Sequence, residues 1–438
     1  MRWAPVRWPP VRWANAMRIA LIGPAHPYKG GGARHTTELA RWLAAAGHDV
    51  VIESWSRQYP AGLYPGGRQT VDVPEGEPFP HTRRDLSWRN PAGWAGVGRR
   101  LRDRDLVVFA LLIPPQAIPY LVVLAALRGV RGPLRLGRGR REGRAAPRTV
   151  VVCHNVLPHE SRPADEQLTR LLLRRAGAAL THSATEAAHA RALAPRAQVA
   201  AARMPPHLPA VAPAAYLNGH AANQAAERAA GRGLRGTRLL FFGIVRPYKG
   251  LDVLLRALAR APGPVTLTVA GEFWGQAEAE TRALIGELGL AGRVTLRPGY
   301  VAADQIPALF AGTDALVLPY RSATSSQNAW LAFEFGVPVI VTHAGTLADA
   351  VRDGVDGLVC EPGDEDDLLR ALVRISEPGE LDRLRSAVRP PDPGHYWDPY
   401  LETLLSLAGQ PGRAPSGPVP SGPEPSGPEP SGLEPTAR

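Results

Sequence analysis

The strongest constraint on the fold is a rhythm that runs along the chain twice. Short, nearly unbroken apolar runs at 17–22, 48–53, 106–111, 149–153 and 178–181 alternate with stretches of helical periodicity, the clearest at 36–46. Strands that are apolar on both faces belong to a parallel sheet covered by helices on both sides. A weakly patterned segment follows at 206–234. The rhythm then restarts at 238–243, 265–270, 294–296, 315–318 and 337–341, with helices expected from 251, 277, 304, near 330 and from 346. The expected fold is α/β: two Rossmann-like, doubly wound parallel-sheet domains facing a central cleft. In open sheets of this kind ligands bind outside the carboxyl ends of the strands.

The remaining segments are placed by composition. The longest apolar run, 106–127, contains Pro114, Pro115, Gln116 and Pro119 and reads as a buried strand plus a helix, not a membrane span. Residues 1–16 repeat Arg, Trp and Pro without an apolar signal core, so a disordered extension or a mis-assigned start is expected there, with an interfacial anchor as the alternative. Residues 411–438, near-repeats of Pro-Ser-Gly-Pro-Glu, cannot bury a core and are expected to be disordered. Two cysteines make no disulfide framework, and a cytoplasmic location is expected. The resulting division is 17–205 for the first domain, 206–234 for a linker, 235–390 for the second domain and 391–410 for a final helix.

The net charge of +11 invites a nucleic-acid reading. Two features oppose it. Only Lys29 and Lys249 are lysines, so the excess is an arginine bias of the whole chain, and beyond the Arg-Trp repeats of 1–16 basic residues are not interleaved with aromatics. No nucleic-acid partner is expected. The segment 128–148 holds eight Arg against one Glu and is expected to be an exposed loop. Its functional reading is contact with an anionic membrane, at the inner face of the plasma membrane.

Both lysines lie in the same tetrapeptide, Pro-Tyr-Lys-Gly, after the first strand of each array. A chain that otherwise uses Arg and keeps Lys twice at equivalent places points to a need for a compact ammonium. Lys29 leads into Gly30-Gly31-Gly32 and a helix, a loop whose amides can approach a phosphate or a sugar. Arg246 and Lys249, three residues apart before a helix, suit a diphosphate. Asp103-Arg-Asp105 has the spacing of a metal chelator, but its place before a strand reads as a solvated turn.

Here the residues resemble family 4 glycosyltransferases, which have the GT-B fold. The matching pieces are Phe-Gly-Ile-Val-Arg-Pro-Tyr-Lys-Gly-Leu ending at Leu251, Val-Ala-Gly-Glu272, Ala-Leu-Val-Leu-Pro-Tyr320, Phe-Gly-Val-Pro-Val-Ile340, and the stretch from Ala344 to Asp364. The resemblance spans roughly 17–400, and His395-Tyr-Trp-Asp-Pro-Tyr400 resembles the start of a terminal helix that packs back on the first domain. It implies that Arg246 and Lys249 hold the donor diphosphate, that Gly31 and Gly32 lie near the donor phosphate, and that His154 reaches the transferring sugar. Glu272, Ser325, Ser326 and Gln327 join them as candidate donor-binding residues, while Asn155 and His159 read as structural. One departure stands out. The two Glu that family members often carry fall at Ala323 and Leu331, which are not acidic.

The resemblance implies a retaining, metal-independent transfer from a UDP- or GDP-sugar co-substrate, with no further cofactor. The acceptor is expected in cell-envelope, polysaccharide or glycolipid synthesis and to be lipid-linked. The alternatives are a non-catalytic scaffold, a nucleotide-sugar epimerase or sugar-phosphate synthase, and a nicotinamide-dependent oxidoreductase. The last is weakened by the missing G-x-G-x-x-G fingerprint.

Overall fold

The computed structural model describes residues 15–58, 69–71, 78–129, 146–158, 163–208, 236–324 and 326–409. Most of the expected basic loop, linker and two terminal segments, together with His159 and Ser325, lies outside the described residues.

The first half is a seven-stranded sheet in the order β3-β2-β1-β4-β5-β6-β7, every pairing parallel. Its strands are β1 Arg18–Ile22, β2 Asp49–Arg57, β3 Thr82–Ser87, β4 Leu106–Leu111, β5 Arg148–Cys153, β6 Ala178–Thr181 and β7 Gln198–Ala201. Helices α1 Gly31–Ala45, α2 Pro91–Arg100, α3 Ala117–Leu127, α4 Pro163–Ala176 and α5 Ala184–Leu193 connect them. The second half is a six-stranded sheet in the order β10-β9-β8-β11-β12-β13, again parallel throughout. It comprises β8 Arg238–Phe242, β9 Thr266–Gly271, β10 Val294–Pro298, β11 Ala315–Leu318, β12 Val339–Thr342 and β13 Gly357–Cys360. Helices α6 Leu251–Arg260, α7 Ala277–Glu287, α8 Ile306–Ala311, α9 Asn328–Glu334, α10 Glu365–Ile375 and α11 Glu380–Ala387 cover it.

The central strands β4, β11 and β12 are buried along their whole length, β4 as an unbroken Leu-Val-Val-Phe-Ala-Leu. In α6 the residues Leu251, Leu254, Leu255 and Leu258 recur at helical spacing and are all buried. The strands that hydrophobic continuity did not reveal lie at sheet edges. β3 carries Arg83, Arg84 and Asp85, the charges that protect an edge from further pairing. One expectation fails: no helix starts at 346. A single 3-10 turn, Ala348–Ala350, gives way to extended backbone at Val351. Asp356 then accepts from Arg352 N at 2.8 Å and from Arg352 Nε at 2.7 Å, closing a turn through Gly354 that leads straight into β13.

The last helix, α12 Pro393–Leu407, returns to the first half. Asp392 caps its start and Pro393 occupies its first position. Trp397, Tyr400, Leu401, Leu404 and Leu405 are buried in one cluster with Met17, Ile19, Leu21 and Val150. Trp397 Nε1 donates to Pro206 O at 3.0 Å, joining the helix to the segment that leaves β7. The architecture is therefore GT-B: two Rossmann-like domains and a terminal helix that ties the chain back on the first.

Candidate functional site

A cleft of about 540 Å³ lies between the carboxyl ends of the two sheets. Its walls follow from topology. The first domain contributes the start of α1 and the ends of β4 and β5. The second contributes the loops after β8, β9, β10 and β11 and the start of α9.

Lys249 sits on a 3-10 turn, Pro247–Lys249, between β8 and α6. Gly250 follows at φ 66, and a Cβ there would meet Pro319 O at 2.0 Å, so only glycine lets the loop close this tightly. The turn drives the Lys249 side chain inward until it is 8% exposed, with its ammonium 4.9 Å from the Tyr320 ring centre. Burial opposes the charge, but the Tyr320 and Tyr248 oxygens beside it offset that and carry the pKa above the ordinary lysine value. Among the described residues no carboxylate pairs with it. An ammonium buried without a counter-ion is costly unless an anion arrives.

Two glycines extend this corner. A Cβ on Gly271 would lie 1.8 Å from Gly243 O, and one on Gly243 would lie 3.4 Å from Lys249 Nζ and 3.2 Å from Asn328 Nδ2. Bare backbone, an ammonium and an amide therefore share one small volume. Asn328 is held there by donating to Phe242 O at 2.8 Å. Arg246 does not line the cleft in this conformation. Its guanidinium stands 5.1 Å from the ring centre of Trp274, which does.

Across the cleft, Gly31 and Gly32 open α1 behind Gly30, whose φ is 93. Both line the cleft, and Gly32 has a packing reason as well, since a Cβ would meet Leu112 Cδ2 at 2.0 Å. Lys29 reaches over from this loop. Its Nζ is 3.1 Å from Glu272 Oε1 and 4.3 Å from the Tyr300 ring centre. Thr324 Oγ1 donates to Asn155 Oδ1, and Gln327 Oε1 accepts from His207 N at 3.0 Å. Among these, Lys29–Glu272 and Asn155–Thr324 bridge the two domains, and His207–Gln327 ties the start of the linker to the second.

His154 follows β5 directly at the cleft wall, 9% exposed, with Nε2 lacking a partner among the described residues. Burial pulls its pKa down to about 4, so the imidazole is neutral at pH 7. Behind it lies a nest of rings: His35 stands 4.9 Å from His154, 5.7 Å from His182, 5.3 Å from His207 and 5.6 Å from Trp397. Burial lowers the pKa of all three neighbouring histidines. Among the described residues no group of His, Cys, Asp or Glu is arranged to hold a metal ion.

The remaining sequence candidates are placed as follows. Ser326 and Gln327 line the cleft, but Gln327 already bonds Pro205 and His207, where the first domain meets the linker. Ala323 and Leu331 line it too, so apolar side chains occupy those positions. Asp103 and Asp105 lie at the opposite end of the sheet, where Asp105 Oδ2 accepts from Arg18 N at 2.7 Å. Trp274, Tyr300, Thr324 and His207 were not legible as site residues. Each depends on a contact between distant segments, and the only local signal was their closeness to strand ends.

Comparison with known proteins bears on this geometry. Residues 236–377 match the family described as glycosyl transferases group 1, so the second half carries a group 1 glycosyltransferase domain. The chain is similar to the D-inositol 3-phosphate glycosyltransferase of Rhodococcus jostii (strain RHA1), 33% identical over 212 residues, which are 46% of this chain and 47% of that protein. It therefore spans about half the length of the curated relatives it matches. Among solved structures it is similar to Anabaena Alr3699/HepE in complex with UDP and glucose, with TM-score 0.64, 17% identity and coverage of 89% of this chain and 100% of the other. It is also similar to the sucrose-phosphate synthase of Thermosynechococcus elongatus, with TM-score 0.60, 16% identity and coverage of 90% and 98%. At such identity these likenesses show the fold.

Proposed function

We propose that this chain is a glycosyltransferase that moves a sugar from a nucleoside diphosphate sugar, UDP- or GDP-linked, to a hydroxyl acceptor with retention and without a metal ion. The observation that carries the reading is the buried, carboxylate-free ammonium of Lys249 beside the bare backbone of Gly243 and Gly271. That corner suits a diphosphate. As the glycosidic bond breaks, negative charge grows on the leaving phosphate, and a fixed cation there stabilises the transition state more than the ground state. Arg246 is assigned to the same phosphates after a swing of its side chain from Trp274. Gly31 and Gly32 face them across the cleft, Ser326 contributes a hydroxyl at the start of α9, and Ser325, outside the described residues, is proposed as a further donor-binding residue. The neutral imidazole of His154 exchanges hydrogen bonds with hydroxyls of the transferring sugar. A phosphate oxygen of the leaving group takes the acceptor proton, and the bridged domains keep out the water that would hydrolyse the donor.

A radiolabelled-donor assay against sugar and polyol phosphate acceptors tests this with wild type and Lys249→Ala. A non-catalytic scaffold is the second reading, favoured by the apolar Ala323 and Leu331 in the cleft. It expects nucleotide binding without transfer.

The acceptor is proposed to be lipid-linked and reached by peripheral contact with an anionic membrane on the cytoplasmic side, in envelope or glycolipid synthesis. No helix among the described residues is long and apolar enough to cross a membrane. On α3, however, Ile118 and Ala125 are exposed and Leu121 and Val122 half-buried, and Leu112 and Ile113 lead from its start into the cleft. Exposed Arg128, Arg174 and Arg175 lie on and beside it. Sedimentation with phosphatidylglycerol vesicles, set against phosphatidylcholine vesicles, checks the contact. Ile118→Ser is expected to weaken binding to the anionic vesicles.

A further inference from the structure

Glu272 is the only carboxylate lining the cleft among the described residues. It follows directly on Gly271, the residue pressed against Gly243 beside the Lys249 ammonium. The same cleft is lined by the rings of Trp274 and Tyr300, with Phe242, Val301, Ile306 and Leu331 adding apolar surface. The carboxylate is thus next in sequence to the corner suited to phosphate and, through Lys29, next to the Tyr300 ring.

Its orientation is fixed from the opposite domain. Lys29 Nζ holds Oε1 at 3.1 Å and is itself seated 4.3 Å over the Tyr300 ring. The side chains of Lys29 and Glu272 are 11% and 12% exposed, so solvent screens the pair little. Among the described residues Oε2 takes no hydrogen bond. One oxygen is therefore anchored and the other holds no hydrogen bond among the described residues, and an ionised carboxylate with lone pairs to spare is an acceptor for hydroxyl donors. Along a nucleoside diphosphate, the group between base and phosphates is the ribose, whose vicinal diol supplies two such donors.

We propose that Glu272 grips the ribose diol of the donor nucleotide and that Lys29 is its positioning residue, reaching across from the first domain to aim the carboxylate. Donor recognition then needs both domains in contact, because the residue that reads the ribose is steered by a side chain of the other sheet. The inference rests on the nucleotide-sugar reading above.

The test is calorimetric titration of the full chain with UDP, GDP and their 2′-deoxy forms. A charged hydrogen bond is worth about 1.5–3 kcal/mol, so wild type is expected to prefer the ribonucleotide by about tenfold or more. In Glu272→Gln that preference is expected to shrink to within about threefold. Lys29→Met is expected to reduce it in part, with the carboxylate present but unaimed. Glu272→Asp, which keeps the charge, separates aim from charge and is expected to retain some of the preference; it also serves if Glu272→Gln does not fold. A merely structural bridge would instead lower ribo and deoxy affinities equally, and an unchanged ribo-to-deoxy ratio in Glu272→Gln overturns the assignment while leaving the donor reading intact. No binding of any nucleotide to wild type removes the donor reading and this inference with it.

Discussion

The same four residues, Pro-Tyr-Lys-Gly, follow the first strand of each domain, and the two copies end in different chemistry. In the first domain Lys29 crosses the cleft and meets Glu272 at 3.1 Å. In the second, Lys249 folds inward under Tyr320 and has no carboxylate within the described structure. The tetrapeptide delivers an ammonium to a strand end in both cases. What stands opposite decides its use: a carboxylate turns Lys29 into an aligning arm, and bare backbone at Gly243 and Gly271 leaves Lys249 for an anion that must be brought by a ligand.

The contrast is sharpest in turnover. Lys249→Ala is expected to lower kcat about 10²–10³-fold, the usual cost of removing one preorganised charge from a transition state. Lys29→Ala, measured in the same assay, is expected to act mainly on KM and by about tenfold. Equal losses in the two variants would erase the distinction between the loops.

Acid separates the two halves next. His35, His154, His182 and His207 are buried on the first-domain side, and burial depresses each pKa, that of His154 to about 4 and that of His207 to about 3. All four are neutral in both folded and unfolded states well above pH 6.5. As pH falls through that value the unfolded chain takes up protons that the folded chain refuses, so stability is complete from about pH 7.5 upward and falls as pH drops toward the folded values. Between pH 7.5 and 6 four such groups amount to up to about 3 kcal/mol, readable as a falling melting temperature. A melting temperature that is flat over this window would show that the ring nest opens to water.

Glycine substitutions compare the loop geometries. Gly30 and Gly250 both have positive φ, but a Cβ on Gly250 meets Pro319 O at 2.0 Å whereas one on Gly30 meets nothing within 4 Å. Gly250→Ala is expected to cost about 1–3 kcal/mol and to displace Lys249, while Gly30→Ala costs about 1 kcal/mol from backbone strain alone. Denaturant midpoints of the two variants check this order.

Much of this was legible in the sequence. Continuous apolar runs marked the buried strands because burial on both faces removes the alternation that a half-exposed strand keeps. The edge strand β3 escaped because its charges serve to stay unpaired, and the turn at Ala348–Ala350 read as a helix because alanine and leucine hide a backbone that glycines further along redirect. At the site, Lys249 and the glycines were visible as loop chemistry. The Lys29–Glu272 pair, 243 residues apart, was not, although each partner stood out alone. Nor was the histidine nest, whose members come from four separate segments and carry no spacing. Local pattern reports which residues reach strand ends; only the fold reports which strand ends face each other.

The most direct measurement is titration of UDP and GDP into wild type and Lys249→Ala, with the fold of the variant checked by its melting curve. If the buried ammonium is the donor phosphate site, one of the two diphosphates binds wild type and loses at least about tenfold in affinity in the folded variant. Equal binding to both proteins, or no binding to wild type, would contradict that assignment.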